Sequence, residues 1–324
     1  MTPTTRRLLF AATLICVAAL TLASLMTGGY DITFANLLSD PAAREMFLIS
    51  RVPRTLAIIF SAVAMSVSGV IMQMITQNKF VEPTTAGTSQ WAGLGVLFCL
   101  ILLPGASPLT KMVVATGFAF VGTMVFILVL RRVAAKGQLI VPLVGIMLGA
   151  VVGAATTFIA SESDLLQSMA SWRSGGFSSI VRGFYEPLWA VLVIAILTFL
   201  LANRFTVVGL GKDLATNVGL NYTLYVFLGV GMVALASGVT SVVVGFIPFL
   251  GLIVPNLVSM VLGDDVRKNL PWVALVGSAL MLACDLIGRL VVAPMEIPAS
   301  VILGAVGAVL FIALVLRNRR YARA

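Results

Sequence analysis

Histidine is absent from the 324 residues, and charge of either sign is scarce. Acidic side chains number 12, and all charged residues together make up 10% of the chain. The first absence excludes histidine-based proton relays, histidine metal sites and axial haem ligation by this chain. The second excludes an ordinary soluble protein, which carries about 25% charged residues. Cysteine is rare as well: Cys16, Cys99 and Cys284 lie far apart in apolar stretches with no zinc or redox spacing, and read as small buried apolar residues. A phosphate cradle of the form G-x-x-x-x-G-K-[ST] is also missing, because Gly211-Lys212 is followed by Asp213 and no glycine stands five positions before Gly211. The chain therefore has no nucleotide site of its own.

What is plentiful is apolar sequence, at 60% of residues with a mean hydropathy of +1.10. A membrane span needs about 20 mainly apolar residues. Such runs occur at 8–27, 53–76, 110–130, 139–160, 187–203, 222–240, 271–292 and 298–316, with two shorter, glycine-rich ones at 89–103 and 246–262. The expectation is an all-α, multi-pass membrane protein of about ten transmembrane helices. An even number puts both termini on one side. With that side cytoplasmic, fourteen of the 21 Lys and Arg residues fall inside, ending in Arg317-Asn318-Arg319-Arg320. The net charge of +9 is then a record of orientation rather than of nucleic-acid binding. The first run follows Arg6-Arg7 as a signal peptide would, but it is longer than such a core and a second span follows, so it is expected to remain as a span. No soluble domain fits, the longest polar connections being near 28–52 and 161–186. Residues 1–324 are expected to form a single transmembrane domain.

Within the spans, ionisable residues are nearly absent. Asp285 and Arg289, four apart in acid-first order, share a helical face, either as a local ion pair or as a proton relay. Gly145, Gly149 and Gly153 form a smooth stripe, for close helix packing or for a pathway wall. Met65 and Met72 share a face in the same two senses. The run Gly245-Phe246-Ile247-Pro248-Phe249-Leu250-Gly251, followed by Pro255, interrupts a helix, and broken helices survive at membrane depth only where protein or a watery cavity satisfies the backbone. These features describe a transport subunit without an engine.

Several motifs stand in a fixed order: Arg51-Val52-Pro53-Arg54-Thr55-Leu56, Ser68-Gly69-x3-Gln73, Asn78-Lys79-Phe80-Val81-Glu82-Pro83, Leu210-Gly211-x3-Ala215-x3-Gly219, Phe249-Leu250-Gly251-Leu252-Ile253-Val254-Pro255, Gly263-Asp264, Asp285-x3-Arg289 and Glu296-x-Pro298. In combination they resemble the permease subunits of bacterial ABC importers for iron–siderophore complexes, haem and vitamin B12, from about residue 30 to 317. The resemblance implies a vitamin B12 importer permease-like fold in the bacterial cytoplasmic membrane. It implies a second permease, two ATPase subunits that carry ATP and Mg, and an extracytoplasmic binding protein, with no cofactor on this chain, membrane lipid around it and no nucleic acid. ATP would drive alternating access, so the chain is a transport subunit rather than an enzyme.

The resemblance also implies roles. Arg51, Arg54 and Arg289, set at the outer face, match arginines that pair with acidic residues of the binding protein in the vitamin B12 member; interfacial snorkelling is the plainer reading of Arg51 and Arg54. Asn78 and Phe80, with Gln138 and Leu139, match two cytoplasmic gate positions, and an ordinary interfacial turn remains the alternative for the loop. Leu210, Gly211, Ala215 and Gly219 match the segment that docks on the ATPase, or else form a solvated connector with Lys212 and Asp213 exposed. The chain departs from the common family pattern at Pro255-Asn256, where Pro-His is usual, at Asp265-Val266-Arg267, and at Asn78-Lys79, where Asn-Pro is usual. These variants, with Val81-Glu82-Pro83-Thr84-Thr85-Ala86-Gly87-Thr88, resemble a subgroup importing catecholate or mixed catecholate siderophores such as petrobactin, enterobactin and anguibactin, which pairs two different permease chains. Vitamin B12 or haem import within the same architecture is the alternative, and ion-coupled secondary transport or a membrane-embedded enzyme is a more distant one.

Overall fold

A computed structural model describes residues 2–29, 33–133, 137 and 139–321. Its helices are α1 (Pro3–Met26), α2 (Phe34–Ser39), α3 (Pro41–Met46), α4 (Val52–Thr76), α5 (Thr88–Leu102), α6 (Pro108–Arg132), α7 (Ile140–Glu162), α8 (Leu166–Ser174), α9 (Ala190–Gly209), α10 (Lys212–Asn217), α11 (Tyr222–Val243), α12 (Leu250–Leu262), α13 (Val266–Leu290) and α14 (Ala299–Tyr321). Among the described residues there is no strand. Seven helical stretches of the described residues are long and apolar enough to cross a membrane; Thr88–Leu102, Leu250–Leu262 and Ala299–Ala313 are apolar but shorter.

The helix starts follow local chemistry. Proline opens the first turn of α1, α4 and α6, where its missing N–H is unneeded. Ser107, Asn221 and Asp265 each accept a backbone N–H from the first turn of α6, α11 and α13. The connection near 28–52, expected as a polar loop, instead carries α2, α3 and a π turn at Phe47–Arg51. Thr33 and Asp40 supply the caps that make these short helices possible.

α4 is the hub. It packs against α9, α11, α12 and α13, and its inward residues include Ala57, Ala62, Ala64, Ser61, Ser66, Ser68 and Gly69. Small side chains let the neighbouring helices approach closely where lipid offers no hydrophobic drive for association. Met65 and Met72 both lie in this core, which favours packing over a pathway wall. α12 crosses α4 at Gly69: a Cβ there would overlap the Gly251 carbonyl. Pro255 cannot donate to that carbonyl, four residues before it. The Gln73 Nε2 reaches the Gly251 oxygen at 3.5 Å, so two distant motifs meet at one crossing.

The interruption seen in the sequence is confined to residues 244–249; Pro255 sits within α12 without breaking it. On α7, Gly145 accommodates the backbone at Thr85 and Ala86, and Gly149 accommodates Gly87. Gly149 and Gly153 also line a cavity of about 450 Å³ together with Gln90, Trp172 and Arg173. Two of the three glycines in the stripe are thus packing positions.

Candidate functional site

Three places carry the residues singled out by sequence. At one end of the bundle, the C-terminal turns of α13, the start of α4 and the end of α1 converge on charge. The Arg54 guanidinium meets Asp285 at 2.8 Å and grips Glu296 with both Nη atoms at 3.0 Å. Arg289 meets Asp285 at 2.6 Å one turn along the same helix. It also donates to the backbone oxygens of Ser24 and Thr27 at 3.1 and 2.8 Å and to the Ser24 hydroxyl at 2.8 Å. It therefore closes the C-terminal end of α1, whose last carbonyls have no partner within their own helix. Arg51 is buried against Gly28, where a Cβ would collide with its guanidinium.

The sequence resemblance sets these three arginines at the outer face as docking residues; in the structure Arg54 and Arg289 are held by carboxylates and Arg51 is buried. The physical reason is cost: an unpaired guanidinium out of water is expensive, and a pair with well-aligned hydrogen bonds removes much of that cost. Arg54 and Arg289 share Asp285, and Arg54 also holds Glu296, whose side chain is a third exposed.

The second place is the segment from Gln77 to Gly87. Asn78 Oδ1 accepts the Phe80 N–H at 2.9 Å, which curls the loop. Phe80 is buried, its ring edge-on to Phe311 of α14 with centroids 5.8 Å apart. Leu139 is half exposed just before α7. Gln138 lies outside the described residues.

Glu82 was quoted within a motif but given no role by sequence. It is fully buried, and its carboxylate accepts the backbone N–H of Phe249 at 2.9 Å and of Gly251 at 3.1 Å, with the Thr84 hydroxyl as a third donor. Its carboxylate caps the N-terminus of α12, where the helix dipole and free N–H groups favour an anion. A buried acid followed by two threonines was the available signal, but nothing in the sequence points to residue 249.

The third place joins α9 to α11. Gly211 and Gly219 have φ of 108° and 79°, values that favour glycine, and they bracket α10. Ala215 is fully buried and anchors the segment. Lys212 and Asp213 are exposed, but so are Leu210, Leu214 and Val218, four residues apart.

A family model described as the FecCD transport family matches residues 15–317. The chain belongs to the FecCD transport family. Among its relatives, a petrobactin import system permease protein of Bacillus anthracis is 47% identical over 96% of this chain and 92% of its own length. A vitamin B12 import system permease protein of Klebsiella pneumoniae is 31% identical over 97% of this chain and 95% of its own. An inward-facing metal-chelate type ABC transporter chain of known structure superposes with a TM-score of 0.80 at 23% identity, covering 95% of this chain and 99% of that one; it shares the fold. This FecCD member is a multi-pass protein of the bacterial inner membrane and a transport subunit, not an enzyme.

Proposed function

We propose that this chain is the membrane-spanning permease of an ATP-driven importer that moves a ferric siderophore of catecholate or mixed catecholate type into the cytoplasm by alternating access. The observation that carries the cargo class is the much closer likeness to the petrobactin permease than to the vitamin B12 permease, each over nearly the whole chain. Ten helices cross the membrane with both termini cytoplasmic, and residues 1–324 work as one permease domain. The chain binds no cofactor. It pairs with a second, different permease chain and two ATPase subunits that hold ATP and Mg, and it receives cargo from an extracytoplasmic binding protein.

Each partner has a surface to meet. Arg51, Arg54 and Arg289 are cations suited to acidic groups on a binding protein, and Glu296, a third exposed, can yield its place beside Arg54 to them. The apolar row Leu210, Leu214 and Val218 offers contact area for an ATPase. The loop at Asn78 and Phe80, with Gln138 and Leu139, forms the cytoplasmic gate; the Phe80–Phe311 contact is the apolar closure such a gate needs.

The deciding experiment is uptake in a strain lacking only this gene. Iron-labelled petrobactin-type siderophore, haem and labelled cobalamin are compared, with and without ATP depletion. Loss of the siderophore signal alone, dependent on ATP in the parent strain, is expected. Loss of cobalamin or haem instead would retain the architecture and overturn the cargo class. Uptake that survives ATP depletion and collapses with the proton gradient would overturn the ATP-driven mechanism.

A further inference from the structure

The segment Gln77–Gly87 is fastened to α12 at three heights. At the N-terminus of α12, the buried Glu82 carboxylate holds the N–H groups of Phe249 and Gly251. At mid-helix, Asn256 Nδ2 donates to the Lys79 backbone oxygen at 2.7 Å and to the Leu252 oxygen at 2.6 Å. Just beyond the C-terminus, Lys79 Nζ lies 2.9 and 3.0 Å from the two oxygens of Asp264. Phe249 itself has φ of 62°, a conformation that costs a non-glycine residue energy unless its surroundings hold it. The Glu82 carboxylate supplies that hold, since it accepts both N–H groups that the turn at Phe249 aims inward.

We propose that Glu82, Asn256 and the Lys79–Asp264 pair are positioning residues that join this loop and α12 into one rigid body, so that Phe80 moves only when α12 moves. The packing supports a rigid body, because α12 cannot slide independently of α4. Gly251 fits against Met65 and Gly69 with no room for a Cβ, so displacement of α12 is a tilt about that crossing. A tilt carries Lys79 and Glu82, the fastened residues on either side of Phe80, with it. Charge-assisted hydrogen bonds from buried carboxylate to backbone are the stronger class, so Glu82 is the main fastening and the exposed Lys79–Asp264 pair the weaker one. The consequence for transport rests on the gate reading of this loop; the fastening itself does not.

Thiol accessibility in the complete importer tests this. Val81, fully buried between Phe80 and Glu82, is replaced by cysteine in a chain whose Cys16, Cys99 and Cys284 are alanine. Labelling by a membrane-impermeant maleimide from the cytoplasmic side is expected to be slow. It should rise about tenfold or more with Glu82→Gln, which loses one carboxylate acceptor, by a smaller factor with Asn256→Ala, and least with Asp264→Asn. Glu82→Asp, which keeps the charge, should restore part of the protection. Unchanged labelling in Glu82→Gln overturns the proposal. If that variant fails to reach the membrane, unchanged labelling in Asn256→Ala does so instead. ATP hydrolysed per cargo imported is measured in the same variants without the reporter cysteine. Raised labelling with an unchanged ratio leaves the fastening in place and overturns the gate reading alone.

Discussion

Asp285 and Arg289 stand one helical turn apart on α13 with their charged groups 2.6 Å from each other, both side chains almost wholly out of solvent. The pair is a junction rather than an isolated bridge, because Asp285 also meets Arg54 from α4 while Arg289 holds the end of α1. Removing the carboxylate therefore leaves Arg54 with Glu296 as its remaining carboxylate in the cluster and Arg289 with only the neutral oxygens of Ser24 and Thr27. Asp285→Ala should destabilise the protein by about 3–5 kcal/mol, and the double change Asp285→Leu with Arg289→Met by much less, since breaking a buried pair costs more than replacing it. Thermal unfolding of the detergent-solubilised permease complex checks this. Equal losses in both variants would mean that the charges contribute little beyond their volume.

The long apolar helices were legible in the sequence; the short helices α2, α3 and α8 inside polar connections, and burial rank, were not. The apolar windows of α1 and α4 have similar hydropathies, 2.4 and 2.1, yet 6% of one and 83% of the other lies inside the protein. In a membrane chain, lipid-facing and core-facing helices are equally apolar, so hydropathy cannot separate them. Small residues do not separate the two either, since Gly, Ala, Ser and Thr are about as frequent in α1 as in α4. The candidate site divides in the same way. Asp285 and Arg289 were readable as a pair because four residues on a helix is a local spacing. The union of Asn78-Lys79 with Asn256, two departures from the family pattern that turn out to touch, depends on a fold that brings residues 79 and 256 together and has no local signature.

The crossing of α4 and α12 makes a contrasting pair of glycine predictions. Gly69→Ala places a methyl group into the Gly251 backbone, which neither helix can yield without separating. The cost should be at least the about 1–3 kcal/mol usual for an overpacked core. Gly117→Ala on α6 meets nothing within 4 Å and should stabilise the helix by up to about 1 kcal/mol. Melting temperatures of the two variants should move in opposite directions, and a neutral Gly69→Ala would refute the close approach.

The Lys79–Asp264 pair lies beyond the end of α12 and gives a pH dependence with a definite sign. Partial burial works to raise the Asp264 carboxyl, but the hydrogen bond from Ser259 and the bond and charge of Lys79 outweigh it and hold the group below the ordinary carboxylate range. A depressed folded-state pKa contributes stability that is fully present above the ordinary value and is lost as pH falls through the depressed one. Protection of the Val81→Cys reporter should therefore be flat across neutral and mildly acidic pH, and Asp264 should contribute an acid-induced loss only below the ordinary carboxylate range. Asp264→Asn should remove that component, seen as the difference between the two labelling profiles. Identical profiles in both proteins would place the acid response elsewhere.

The exposed apolar residues on and beside α10 separate the ATPase contact from the binding-protein contact. Burying one exposed leucine side chain against a partner is worth about 1.5–3 kcal/mol, which corresponds to about tenfold or more in affinity. Leu214 is the central member of the row and touches none of the buried charges at the other site, so Leu214→Asp should affect one partner only. The expected result is an ATPase affinity for the permease pair lowered by about tenfold or more, with binding-protein affinity unchanged and hydrolysis no longer stimulated by loaded binding protein. Titrated co-purification of each partner with the variant reads both affinities in one preparation. Retained ATPase affinity would mean that Leu210, Leu214 and Val218 face lipid headgroups or a different chain, and would move the coupling contact away from α10.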